Sequence, residues 1–239
     1  MEIVLIGAIV AIATCVQGSV GFGLGMLAAP LIALIAPELI PGTVLLLATT
    51  LSLSTLLRER SQVDWGAVGW ASIGRAPGSL LGAGAVVLLP DAGLTVVLAG
   101  TVLLGVVLSL AGWRPPRTRG TTLLAGGASG ALGTATSIGG PPMALILRGE
   151  EPGMVRATLS GTFVVGCVLS LASLGALGEL RLEQVRAALV LLPFVAAGLL
   201  ASGPIARRID SARLYTGAVV VSVIGAVAAA IGGAAALLG

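Results

Sequence analysis

The sequence predicts an all-α integral membrane protein, an inverted repeat of two halves, each one re-entrant or broken helical hairpin plus three transmembrane helices. Composition is the first of three observations behind that fold class. Of 239 residues, 56% are hydrophobic and 10% charged, and the mean hydropathy is +1.10. A soluble domain carries about 25% charged residues, so this chain has more apolar surface than a water-soluble core of its size can hide. An internal echo is the second: slid by 112 positions, Gly18, Gly21 and Pro30 fall on Gly130, Gly133 and Pro142, and Glu38 falls on Glu150. The third is the arginines, thirteen in all and nearly all in short loops.

Spanning a ~30 Å hydrocarbon core takes about 20 apolar residues in a helix. Ile3–Ala36 is too long for one span and is interrupted by glycines. Single spans follow at Gly42–Leu57, Gly66–Leu89 and Gly93–Gly112. The second half repeats the order: Thr121–Leu147 is long and broken, then come Ala157–Leu177, Val185–Ala206 and Leu214–Leu238. Short polar or proline-bearing segments separate them, among them Arg58–Asp64, Trp113–Arg119, Arg148–Gly153 and Arg207–Ser211. The expected division is a first membrane repeat over 1–113, a cytoplasmic linker over 114–119 and a second membrane repeat over 120–239. Ile3–Val16 lacks the basic flank of a signal peptide and runs straight into the first copy of the echo, so it is expected to stay in the mature protein.

Positive-inside counting decides between hairpins and single long crossings. If both interrupted stretches are hairpins, the loops bearing Arg58/Arg60, Arg114/Arg117/Arg119, Arg148/Arg156 and Arg207/Arg208/Arg213 share one side, which gathers ten of thirteen arginines. Arg181 and Arg186 lie opposite, and Arg75 lies within a span. If both cross once, the split is seven against five. The hairpin model is therefore preferred, and three spans after each hairpin give the halves opposite orientations. Paired, interrupted hydrophobic segments in two such halves point to a transporter's binding site near the midplane. The same echo also fits an old duplication that kept only its packing glycines.

The missing residue types exclude whole classes of chemistry. There is no His, Lys or Asn. Ser-His and Ser-Lys nucleophile pairs are therefore impossible, and the usual zinc and haem ligand sets cannot be assembled. Cys15 and Cys167 stand apart in apolar runs and suit small packing residues. No enzyme activity, metal or cofactor is expected. The formal charge of +3 comes without a basic stripe interleaved with aromatics, so no nucleic-acid partner is expected. All ten Asp and Glu fall in loops or at chain ends, leaving no proton relay of the Asp/Glu/His kind at the membrane centre.

What remains is the chemistry of the two interruptions, Gln17–Pro30 and Ser129–Pro142. Unwound backbone inside a bilayer is tolerated only where it is buried in protein or lines a wet cavity. Free N–H groups at a half-helix start, with the positive end of its dipole, attract anions. Candidate substrate-binding residues in the first interruption are Gln17, Gly18, Ser19, Gly21, Phe22 and Gly23. In the second they are Gly133, Thr134, Thr136, Ser137, Gly139, Gly140 and Pro141. Close helix packing through small residues would use the same glycines without any ligand. Thr50 and Thr162 match at the repeat offset and join the candidates, although such hydroxyls often bond only to their own helix. Arg75 completes the set: counted from Trp65 it lies about 15 Å deep. An intramembrane charge is a functional candidate by default; the alternatives are a backbone-carbonyl partner or snorkelling.

GxxGFGxGxxxxP early in the chain and GxxxxxGGPPxxL midway resemble the sulfite exporter TauE/SafE family of anion transporters. The likeness extends over essentially the whole chain, including the run at Arg156–Phe163. It departs at Arg58–Trp65, which reads RERSQVDW and does not help choose a substrate. The resemblance implies export of sulfite, sulfonates or related organic anions across a bacterial-type inner membrane by a multi-pass protein. A cation-coupled importer of the same anions and a non-transporting membrane scaffold stay open as alternatives. The expected partners are a small anionic substrate and the lipid bilayer, and a homodimer stays open.

Overall fold

The computed structural model describes residues 2–110, 114–208 and 211–238, and every regular element among them is helical. In the first half α1 (Glu2–Val20) and α2 (Leu24–Ile35) are followed by α3 (Gly42–Glu59), α4 (Trp65–Leu88) and α5 (Asp91–Leu110). In the second half α6 (Arg119–Thr136) and α7 (Gly140–Ile146) are followed by α8 (Pro152–Ala176), α9 (Leu182–Arg208) and α10 (Ser211–Leu238). Each half is thus a broken pair and three long helices. The expected boundary at 113 and the end of the span at 112 lie outside the described residues.

Among the described residues five helices are long and apolar enough to cross a membrane: α1, α4, α5, α8 and α9. Helix α3 is not among them: its 18 residues include Arg58 and Glu59 in the last turn, and Thr49, Thr50, Ser52, Ser54 and Thr55 dilute the rest. Of α10, the stretch Val219–Ala235 is a shorter apolar helix.

The interruptions are much narrower than the glycine-rich segments that announce them. Only residues 21–23 and 137–139 leave helical geometry. Gly21 and Gly23 take φ of 103° and 140°, and Ser137 takes φ of 63° at the end of α6. Positive φ is easy only for glycine, so Ser137 is the unusual member. It stands 116 positions after Gly21, one helical turn beyond the 112 of the sequence echo. Gly133, the letter that matches Gly21, is still inside α6.

Packing exchanges elements between the halves. The first helix of each half lies along the fourth helix of the other: α1 on α9, and α6 on α4. The third helices α3 and α8 pack together, as do the fifth helices α5 and α10. Lipid tails are as apolar as leucine, so such contacts rest on close fit between small residues. Gly74, Gly78 and Gly82 recur every four residues along α4 and lie on the backbone carbonyls of Leu123, Gly127 and Ala131 in α6. A Cβ on any of the three would overlap the facing carbonyl.

The loops are pinned by polar contacts. Arg117, before α6, pairs with Asp64 at the start of α4 and, at 2.8 Å, with Glu150 after α7. Asp64 also caps α4, accepting from the Ala67 N–H at 3.0 Å. Elsewhere, buried Gln184 at the start of α9 donates to the carbonyls of Glu38 and Ile40, at 3.0 and 3.3 Å. Pro37 and Asp91 line one hollow together.

Candidate functional site

The glycine face of α4 brings its backbone so near α6 that Arg75, beside Gly74, is sealed between helices. Arg75 is 1% exposed. Its Nη1 donates to Ser129 Oγ of α6 at 3.0 Å, and Ser129 Oγ donates in turn to the Gly139 carbonyl in the second break. On the other side lies Gly166 of α8, where a Cβ would overlap the guanidinium itself. Among the described residues Nε of Arg75 has no hydrogen-bond partner, and no carboxylate pairs with Arg75. A buried charge without a counter-ion is costly, and this one lies ten residues into a helix long enough to cross a bilayer.

Around it the two breaks touch. Gly25, in the first turn of α2, lies against the Ser137 carbonyl, and a Cβ on Gly140 would stand 3.1 Å from the Phe22 ring. Each break is braced by its own polar device. Gln17 Oε1 accepts the Leu24 N–H at 2.9 Å, tying the end of α1 to the start of α2. Its amide reaches Ser52 Oγ across a long 3.5 Å. In the second break Ser137 Oγ donates to the Pro41 carbonyl at 3.0 Å, and Thr136 Oγ1 accepts the Ile138 N–H at 3.3 Å.

These braces reduce the free donors that unbroken counting of N–H groups would suggest. The Leu24 N–H is already taken by Gln17. Helix α7 begins Gly140-Pro141-Pro142-Met143, and its two prolines have no N–H to offer. Gly25 and Met26 of the first turn of α2 also line the cavity, and among its described lining residues the guanidinium is the one charged donor.

A cavity of ≈40 Å³ occupies the junction. Nine expected residues line it: Gln17, Phe22, Gly23, Arg75, Gly133, Ser137, Gly139, Gly140 and Pro141. The other seven are elsewhere. Gly18 and Ser19 face α9: a Cβ on Gly18 would stand 2.8 Å from Ser202, and Ser19 Oγ donates to the Cys15 carbonyl at 2.9 Å. Gly21 lies against Arg156. Thr134 is hydrogen-bonded to Ser170 at 2.7 Å, and Thr136 donates to its own helix at Leu132. Thr162 bonds to the Thr158 carbonyl at 2.9 Å, and exposed Thr50 bonds to that of Leu46 at 3.1 Å. The hydroxyls of Thr136, Thr162 and Thr50 satisfy their own helix backbone, as helix-borne Ser and Thr commonly do.

Sequence reasoning passed over Ser129 and Gly166, the two residues that seat Arg75. Ser129 marks the start of the second interruption but is the one hydroxyl there that joins the arginine to the break. Gly166 gave no signal, standing alone in an apolar run.

The described fold and site define a multi-pass helical membrane protein with a buried cation where two broken helical pairs meet. The family model for the sulfite exporter TauE/SafE matches residues 5–235. The chain belongs to that family of membrane transporters of sulfur anions. No curated protein and no solved structure matches it.

Proposed function

We propose that this protein exports a small sulfur oxyanion or sulfonate across a bacterial-type inner membrane by alternating access, with Arg75 as counter-charge for the anion. The observation that carries this reading is the sealed, unpaired guanidinium in the cavity where the two breaks touch. A water needs about 10–15 Å³, so ≈40 Å³ is room for about three waters, a size that suits a small anion. Alternating access would open this junction to each side in turn.

We read the halves as an inverted repeat. Support comes from the ends of α4, which at 24 residues is about 36 Å long. Glu150, after the second hairpin, is tied through Arg117 to Asp64 at its start. Pro37, after the first hairpin, shares a hollow with Asp91 beyond its end. The arginine-rich loops assign the Asp64 end to the cytoplasm. A membrane potential negative inside favours anion exit by about 2.3 kcal/mol per charge at 100 mV, so downhill export needs no coupling carboxylate at the membrane centre.

Flux in proteoliposomes tests the function. Sulfite and short-chain sulfonates should leave faster when the imposed potential is negative on the loaded side. Accumulation that depends on an imposed cation gradient would replace export with cation-coupled import. No movement of any oxyanion would leave a scaffold. Reporter fusions after Glu38 and Glu150 should lie on opposite sides, and a shared side would remove the inverted arrangement.

A further inference from the structure

A second polar pocket lies away from Arg75, where the ends of α1, α3 and α9 meet the start of α8. It encloses ≈180 Å³ and is lined by Ser19, Thr55, Arg58, Glu59, Arg156 and Ser202, among others. Within it the ion pair between Arg156 and Glu59 is lopsided. Nε and Nη2 of Arg156 both donate to Oε1 of Glu59, at 3.3 and 3.0 Å, while Oε2 is buried with no partner among the described residues. A guanidinium fork is matched best by two oxygens side by side. Here one oxygen takes both donors and the other takes none. Arg58 lines the same pocket and makes no ion pair among the described residues. Two cations facing one half-satisfied carboxylate leave the pocket positive.

The geometry points to a second anion site in this pocket, at which an incoming oxyanion takes the Arg156 fork from Glu59 and is steadied by Arg58. Its link to transport rests on the reading of Arg75 given above. Glu59 is then a resident stand-in for the anion, holding Arg156 until a better-matched pair of oxygens arrives. The exchange is felt by the first break: a Cβ on Gly21 would stand 2.9 Å from Cγ of Arg156, so the stem of the exchanging side chain rests on the non-helical turn. Ser19, which sequence reasoning nominated for substrate, lines this pocket and not the Arg75 cavity.

Inorganic sulfite is the probe, in proteoliposomes loaded at the arginine-rich face. Glu59→Gln removes the competing charge and should lower KM by about 3- to 10-fold with little change in kcat. Arg156→Lys keeps the charge but loses the fork and should raise KM about tenfold. Arg58→Gln should raise it by a smaller factor. An unchanged KM in Glu59→Gln, or a wild-type KM in Arg156→Lys, would overturn the proposal. If Arg156→Lys fails to fold, sulfite binding to purified Glu59→Gln decides alone. Binding measured in an Arg75→Ala background separates this site from the central one. Strengthening by Glu59→Gln there supports the pocket, and its absence refutes it. Undiminished flux in Arg75→Ala alone would instead refute the central reading.

Discussion

The two breaks look alike in sequence and differ in chemistry. The first is made of glycine: Gly21 and Gly23 supply positive φ, and the Gln17 amide closes the gap by accepting the Leu24 N–H. Gln17 thus makes the first break self-sufficient. The second turns on Ser137, a non-glycine residue at positive φ, and its Gly139 carbonyl is held by a hydroxyl that also receives Arg75. That break is wired to a charge. The difference teaches that glycine content marks where a membrane helix opens, whereas the nearest buried cation marks where an anion has reason to stop.

If that asymmetry is right, disturbing the seat of Arg75 should hurt transport most. In Gly166→Ala the added methyl overlaps the guanidinium and should push it from the cavity. Sulfite flux in proteoliposomes is expected to fall by about 10- to 100-fold, as overpacking of about 1–3 kcal/mol implies. Ser129→Ala removes the Nη1 acceptor and the donor to Gly139. Here the expected loss is about 5- to 30-fold in the same flux assay, and Ser129→Thr should recover part of it.

The first break should respond in stability more than in rate. Gln17→Ala leaves the Leu24 N–H without its acceptor, which costs about 1–3 kcal/mol for a buried donor. Thermal unfolding in detergent should move down accordingly, and a flux loss as deep as that of Gly166→Ala would erase the distinction between the breaks. Smallest of all is Thr50→Ala. The hydroxyl is exposed and bonds only to Leu46, so stability should stay within about 0.5 kcal/mol and flux should match wild type.

Much of this arrangement was legible in the sequence because a bilayer narrows the choices. Glycine clusters inside apolar runs mark broken helices, and counting residues from Trp65 puts Arg75 deep in α4. The register of the repeat was not legible. Matching letters at 112 align Gly21 with Gly133, whereas the chain turns at Ser137, a non-glycine residue whose hydroxyl is held by the Pro41 carbonyl. Hydroxyl roles were not legible either. Ser19, Thr136 and Thr162 can satisfy a carbonyl one turn back in any helix, so composition alone does not separate them from Ser129. Gly74, Gly78 and Gly82 form a regular stripe in the sequence, yet only the crossing with α6 shows that it seals the arginine in place.

The most direct test is sulfite flux through proteoliposomes bearing Arg75→Ala, compared with Thr50→Ala of matched folding and incorporation. Loss of a charge-assisted contact worth about 1.5–3 kcal/mol predicts a fall of at least about tenfold in Arg75→Ala, with partial recovery in Arg75→Lys. Flux in Arg75→Ala equal to that of Thr50→Ala would contradict the assignment of Arg75 as the anion's counter-charge.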